Sequence, residues 1–475
     1  MTFYFYDLET SGVSPAISRV MQFAGQRTDQ DLNPIGEPDN VLVRLDEDII
    51  PDPFAVLTHR ITPQMTKADG ITEREFIAWF HSEVATEKTV MVGYNNIRFD
   101  DEFMRFTSYR NFHDPYEWHW KDGRGRWDLL DVMRMTRALR PDGIEWPFTS
   151  EGKPTVALEK MTAVNNIEHT EAHRADSDVY ATIEMARLLK KTQPKLFEYL
   201  HSMREKNAVL RLVEQGEPFV YTSGRYVSEH EKTTVVTSIG YHPEIKGSLL
   251  VYDLRQDPED FSDLSAEKLS ERIFVPRGSD LQRLPVKTLA ANKCPAVAPL
   301  SVLDDRSQER LAIDMGVIEA NLKKLKNSDL TDRIREAFSI RFTAQQPPML
   351  TDIQAVDGLL YSGGFMTDRD KSLMAKVRSS DDLLETTYDF ADSRLDPLLE
   401  LYTYRNYHTE LTSAQIDAWE SYRKTKFTSG GDNSELAAFS AQFQKASELA
   451  ASDKEKQYLL EELKLYVESI MPEDI

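Results

Sequence analysis

Two carboxylates one residue apart stand at the start of this chain. In Phe3-Tyr4-Phe5-Tyr6-Asp7-Leu8-Glu9-Thr10 the aromatic half is strand-forming, and alternation along a strand puts Asp7 and Glu9 on the face that carries Phe3 and Phe5. Acids this close resist ionising together, and a hard divalent cation such as Mg²⁺ or Mn²⁺ between them removes the conflict. A lone Asp-x-Glu is usually a solvated strand end, so the reading depends on what else converges there. A second acidic cluster, Asp100-Asp101-Glu102, follows Asn95-Asn96-Ile97-Arg98-Phe99 where a strand hands over to a helix. Helical neighbours point about 100° apart, so Asp100 and Asp101 cannot both face one site. The helix dipole alone also favours acids at that end.

The third cluster runs from Glu168 to Asp178. A helix is expected to begin near Asp176, read as its N-cap, and to reach about Lys191 with Val179, Ile183, Ala186 and Leu189 inward. Asp178 then lies in the first turn and His173 on the loop before it. Along one helix five residues would splay two side chains about 140° apart, so only a loop-borne histidine can turn back toward the acid. Acids from a strand, a strand-to-helix junction and a late helix, with one histidine, fit in-line displacement at phosphorus with two divalent ions about 3.5–4 Å apart. A histidine with an ordinary pKa of about 6.5 suits removal of the proton from the attacking water.

Between these clusters Arg105, Tyr109, Arg110, Phe112, Tyr116, Trp118, Trp120, Lys121, Arg124, Arg126 and Trp127 interleave bases and aromatics. Stacking platforms beside phosphate partners make a single-stranded nucleic-acid groove, each stacked base contributing about 1–3 kcal/mol. The competing reading is aromatic core with a solvated arginine face. Breaks at Pro115, Gly123 and Gly125 favour an exposed loop.

The elements that must position these groups are legible in outline. After the first strand, Val20 to Thr28 and Asn40 to Leu45 read as strands of a meander, Phe76 to Val84 as a helix and Thr89 to Tyr94 as a buried strand. Beyond Pro194 short strands are expected at Pro218–Ser223, Thr233–Gly240, Gly247–Asp253 and Leu284–Ala290, with a helical insert near Ser265–Ile273. From about Met349 the chain reads as helical and charged, broken at Ser429-Gly430-Gly431-Asp432. A length of 475 residues implies two to four domains. The single cysteine, Cys294, leaves no intrachain disulfide and no structural zinc cluster. No apolar run of about 18 residues appears, so no membrane span is expected, and the chain reads as cytoplasmic. The net charge of −22 opposes nucleic acid at long range, yet does not describe a groove.

Asp7-Leu8-Glu9-Thr10, then Asn96-Ile97-Arg98-Phe99-Asp100, then His173 with Asp178 resemble the histidine-containing subtype of the DEDD superfamily of 3′→5′ exonucleases. Gly93 to Glu102, Tyr109-Arg110-Asn111-Phe112 with Asp114-Pro115-Tyr116, Arg126 to Arg134, Asp178 to Ile183, and Asn292-Lys293-Cys294-Pro295 are similar to the bacterial exodeoxyribonuclease I family within it. The resemblance implies an α/β fold in three parts: a ribonuclease H-like exonuclease domain (1–192), an SH3-like β domain (193–345) and a helical C-terminal domain (346–475). It implies that Asp7, Glu9, Asp100 and Asp178 bind two Mg²⁺ ions, with Mn²⁺ as the alternative, and that His173 is the general base. It selects Asp100 over Asp101. It also places Arg105, Tyr116, Trp120 and Arg134 on the DNA strand, and implies 5′-mononucleotide products, a monomer, a role in DNA repair and recombination, and a contact with the C-terminal tail of single-stranded DNA-binding protein.

One position departs from the family pattern. Where relatives carry a basic residue before Leu158-Glu159 this chain has Ala157, so the contact is expected either to be missing or to come from Lys153 or Lys160. An exoribonuclease of the same superfamily is the rival reading, opposed by the length of the chain beyond one catalytic domain. A non-catalytic single-strand binder is a second rival, opposed by an acid at every metal position, and a plain structural protein would leave Arg105 to Trp127 unexplained.

Overall fold

A computed structural model describes residues 1–169, 174–276, 278–343, 353–380, 383 and 386–472. The chain divides into two compact units, each assembled from separate stretches of sequence: Met1–Arg124 with Thr170–Tyr180 and Pro348–Ile475, and Gly125–His169 with Ala181–Pro347.

In the first unit, strands β1 (Thr2–Thr10), β2 (Val20–Thr28), β3 (Asp39–Leu42) and β4 (Thr89–Gly93) lie in the order β3-β2-β1-β4. β1 runs antiparallel to β2, with Asp7 opposite Ala24 and Glu9 opposite Gln22, and parallel to β4. The expected meander is therefore present, with its third strand three residues shorter at its end than the sequence suggested. One face of β1 supplies Tyr4, Tyr6 and Leu8 to a core with Phe23, Phe76, Phe80, Met91 and Trp118. The expected helix over Phe76 to Val84 starts earlier, at Glu73, capped by Thr72 and Glu75 in a reciprocal box, and ends in one π-helical turn over Phe80–Val84.

The C-terminal helices Asp368–Ser379, Leu395–Asn406, Ser413–Thr428, Glu435–Leu449 and Lys454–Ser469 belong to this same unit. Leu395, Leu398, Tyr402 and Trp419 share a core with Phe106, Tyr109 and Phe112, and Phe427, Leu463 and Val467 share another with Met21, Ile49 and Val56. At about 1.5–3 kcal/mol for each large apolar side chain buried, these two clusters dominate the attachment. Charge is buried with them. Arg405 Nη2 lies 2.7 Å from both Asp48 and Asp357, Lys426 Nζ 2.8 Å from Asp48, Arg19 Nη2 2.5 Å from Asp357, and Arg110 Nη2 2.8 Å from Glu73. Burial pushes the Asp48 carboxyl up, but Arg405, Lys426 and Arg19 outweigh it and hold it well below the usual range.

The second unit opens with β5 (Gly125–Asp128) and carries an antiparallel sheet of β6 (Phe219–Thr222), β7 (Thr233–Tyr241), β8 (Ser248–Asp253), β9 (Val286–Ala290) and β10 (Ala296–Pro299), in the order β10-β6-β7-β8-β9. Four of the five were expected within a few residues. β10 was not, because Ala296-Val297-Ala298-Pro299 is too short and too small in side chain to register as a strand. The helical insert is Ala266–Glu271. Among the described residues no helix is long and apolar enough to cross a membrane.

Candidate active site

β1 delivers its two acids as strand alternation requires. Asp7 and Glu9 are partly exposed while Tyr6, Leu8 and Thr10 between and beside them are buried. The helix Ala175–Thr192 brings Asp178 to the same place from its first turn. Ligand oxygens of Asp7, Glu9 and Asp178 all lie within 4.8 Å of one another, which suits a shared cation. Asp178 N–H bonds the Arg174 carbonyl, so the helix begins at Ala175 and Asp176 is inside its first turn. The N-cap expected at Asp176 is thus corrected, since the backbone closes its first turn from Arg174 and leaves Asp176 to bond Ser177 N–H. His173 lies outside the described residues.

The strand-to-helix junction sorts its two aspartates by direction. β4 ends at Gly93, where a Cβ would stand 2.6 Å from the Cβ of Asn96, so only glycine allows the chain to fold back so tightly. Asn95 follows in the left-handed region at φ 75°, and the helix Asp100–Arg110 starts at once. Asp100 Oδ1 accepts the Leu8 N–H at 3.2 Å, which pins it against β1 between Asp7 and Glu9. Asp101 turns to the opposite side, where it accepts the Tyr6 hydroxyl at 2.5 Å and the Asn96 amide at 3.2 Å. Asp101 is therefore structural, a role the sequence reading did not give it.

The electrostatics express a need for positive charge. Burial first, then Asp100 and Asp178, push the Asp7 carboxyl well above its ordinary range. Burial, then Asp7 and Asp178, push Glu9 up to about 9. Two carboxylates raised by burial and by their acidic neighbours in this way fit hard divalent cations, which remove the repulsion when bound.

The basic-aromatic stretch is largely core, not the exposed loop that was expected. Tyr109, Phe112 and Trp118 are fully buried, and Arg110, Trp127, Arg126 and Arg105 are nearly so. Arg105 is tied to Glu102 at 2.8 Å, to His119 at 3.2 Å and to the Tyr361 hydroxyl at 3.4 Å, and lies over the Tyr116 ring. Tyr116 is half-buried, whereas Trp120 is 59% exposed and free to stack. The helix ends at Arg110, ahead of Pro115 and Gly123, and the aromatic side chains turn inward, Trp118 into the core of the meander and Tyr109 and Phe112 into the core shared with the C-terminal helices. Arg134, in the second unit, pairs with Asp131 at 2.6 Å and lines a cavity of about 300 Å³ that also holds Ala157 and Lys232. Lys153 instead pairs with Glu151, and the cations that line the cavity with Ala157 are Arg134, Arg137 and Lys232, the last indicated by no sequence spacing.

Three family models match the chain: "Exonuclease" over residues 4–186, "Exonuclease I SH3-like domain" over 204–340 and "Exonuclease I C-terminal domain" over 354–470. The Exodeoxyribonuclease I of Escherichia coli K12 is 39% identical over 99% of this chain and 98% of its own length. The crystal structure of E. coli Exonuclease I in complex with a dA16 oligonucleotide superposes with a TM-score of 0.93 at 38% identity, covering 99% of this chain and 100% of that one. A crystal structure of SSB/Exonuclease I in complex with an inhibitor, CFAM, superposes at 0.89 with 37% identity and covers 99% of both chains. An exonuclease domain followed by SH3-like and helical C-terminal domains is the fold that the motifs implied.

Proposed function

Because this chain belongs to the exodeoxyribonuclease I family, we propose that it is a 3′→5′ exonuclease that hydrolyses single-stranded DNA to 5′-mononucleotides. The observation that carries the reading is the convergence of Asp7, Glu9 and Asp178 within 4.8 Å, with Asp100 held beside them through Leu8. These four would hold two divalent ions, Mg²⁺ or Mn²⁺, whose contribution is Lewis-acid stabilisation of charge on the scissile phosphate. His173, five residues before Asp178, takes the proton from the attacking water. Trp120 offers a face to a base, and Arg105, Tyr116 and Arg134 position the strand. Lys232 stands in for the basic side chain missing at Ala157.

The partner named with the inhibitor-bound relative supports a contact with single-stranded DNA-binding protein, and we place the chain in DNA repair and recombination as a monomer. The domain limits 1–192, 193–345 and 346–475 belong to the same proposal. Matched 5′-labelled oligonucleotides test it: single-stranded DNA, duplex DNA and single-stranded RNA, each with Mg²⁺ and with chelator. Metal-dependent shortening of the single-stranded DNA is expected. Preference for RNA would transfer the chain to the exoribonuclease reading, and binding without cleavage would leave a scaffold.

A further inference from the structure

The second unit contains a basic cavity remote in sequence from every acid of the proposed active site. It has a volume of about 560 Å³ and is lined by Arg225, Arg255, Arg283 and Lys287, contributed by a turn, the end of β8, the approach to β9 and β9 itself. This is the size range of small-molecule sites. None of the four cations is ion-paired with a carboxylate among the described residues. Arg255 spends its guanidinium on neutral oxygens instead, the Thr234 hydroxyl at 2.9 Å and the Leu311 carbonyl at 2.7 Å.

Two carboxylates also line the cavity, Asp253 and Asp314, and both are engaged locally. Asp253 accepts the Thr234 hydroxyl at 2.6 Å and the Arg255 N–H at 3.2 Å, and Asp314 caps the helix Met315–Lys326. Four cations against two carboxylates leave an excess of two positive charges. Burial, then Arg283 and Arg225, lower Lys287 to about 8, with Asp253 opposing, as expected where like charges gather uncompensated. Tyr226, only 8% exposed, lies beneath Lys287 and keeps its hydroxyl buried without a hydrogen-bond partner. An orphaned buried donor beside surplus cations asks for an anion. The rest of the wall carries the polar His230 and Gln256 and an apolar patch from Leu284, Ile318 and the exposed Val317.

We propose that this cavity is a binding site for a compact phosphate monoester, with Arg225 and Arg283 at the mouth, Arg255 and Lys287 within, and the Tyr226 hydroxyl donating to a phosphoryl oxygen. A phosphate monoester carries about −1.5 to −2 charge near neutral pH, which matches the excess, and guanidinium forks suit its oxygens. A DNA strand fits less well, because the Tyr226 ring is buried under Lys287 and His230 alone is no platform for successive bases. Inorganic phosphate and a nucleoside 5′-monophosphate share the recognised group, and the apolar wall distinguishes them.

The test is calorimetric titration of the intact protein in chelator, where no divalent ion brings phosphate to Asp7 and its neighbours and no cleavage is read. Inorganic phosphate, deoxyadenosine 5′-monophosphate and deoxyadenosine are the probes, against wild type and the Arg225→Ala/Arg283→Ala variant, whose substituted side chains are exposed and should leave the melting temperature unchanged. Expected is one-to-one binding of the monophosphate, weakened at least tenfold in the variant, with no binding of deoxyadenosine. Tighter binding of the nucleotide than of phosphate assigns the apolar wall to the nucleoside, and equal binding assigns the site to phosphate itself. Absence of binding by both phosphates, affinity indifferent to the double substitution, or deoxyadenosine binding as well as its monophosphate would overturn the proposal. Binding of an oligonucleotide, but of no monoester, lost in the variant, would overturn it as well.

Discussion

At the scale of single residues, Asp7 is the most informative position. Its carboxyl is pushed up by burial and by two other acids, so its removal should relieve repulsion while destroying the cation site. Asp7→Ala is expected to reduce cleavage of single-stranded DNA by more than a thousandfold, on the order of a lost metal or oxyanion contact, and to leave strand binding in chelator within a few-fold. Turnover within tenfold of wild type would refute the assignment. The same substitution should abolish the rise in melting temperature that Mg²⁺ or Mn²⁺ gives the wild-type protein, a readout independent of catalysis. His173→Ala should slow the chemical step about 10²-fold or more at neutral pH, and an unchanged rate would remove the histidine from the mechanism. Asp7, Glu9 and Asp178 were legible because period-two alternation and the first turn of a helix are local rules. The partition of Asp100 from Asp101 was not, since it depends on Tyr6 and Asn96 reaching in from other elements. Nor were the cations around Tyr226, which come from three separate stretches, around Arg225, around Arg255 and from Arg283 to Lys287, with no common spacing.

At the scale of elements, the sequence reading misjudged the segment from Arg105 to Trp127. A composition of rings and guanidiniums is the same whether the rings stack on bases or fill a core, and only the tertiary partners decide. Here Trp118 meets Phe80 edge-on at 5.6 Å and Phe112 meets Tyr402 at 5.3 Å, so the rings were claimed by packing. Part of that packing is a stacked pair, His81 from the π-helical turn and His113 after the helix Asp100–Arg110, with ring centroids 4.4 Å apart and 13° between planes. Burial, then Arg378 and Arg124, lower His81 to about 4, with Asp114 and Glu117 opposing. Burial, then His81 and Arg378, lower His113 to about 2. Both rings are neutral when folded and bind protons only after unfolding begins. Their contribution is therefore intact above about pH 6.5 and is lost as pH falls toward 4, by up to about 1.4 kcal/mol per pH unit for each ring. His113→Phe keeps a ring in the stack and should flatten the loss of urea stability between pH 6.5 and 5. Parallel curves for the two proteins would contradict this account.

At the scale of the whole molecule, the buried charges that tie the C-terminal helices to the first strands matter most. Arg405 satisfies Asp48 and Asp357 together, and both acids are almost completely buried. Arg405→Ala would leave them facing each other with only Lys426 and Arg19 nearby, and should cost about 3–5 kcal/mol in urea unfolding. A cost below about 1 kcal/mol would mean that water or rearrangement compensates. None of this was legible in sequence, because Asp48 lies hundreds of residues from Asp357 and Arg405, which are themselves 48 apart, and each alone looks like an ordinary surface charge. The three-part organisation, by contrast, followed from motifs that lie within single segments.

The unit that holds the proposed active site is built from Met1–Arg124, the short stretch Thr170–Tyr180 and Pro348–Ile475. On a ribosome adding about 5–20 residues per second, the β1 acids are made tens of seconds before the helices that close their unit. Until then Met21, Ile49 and Val56 lack their partners Phe427, Leu463 and Val467, and Asp48 lacks Arg405 and Lys426. A nascent chain that has not yet reached Val467 thus carries the proposed nuclease carboxylates on an unfinished scaffold, so that synthesis of the late helices, not of the acids, becomes the step that arms the site.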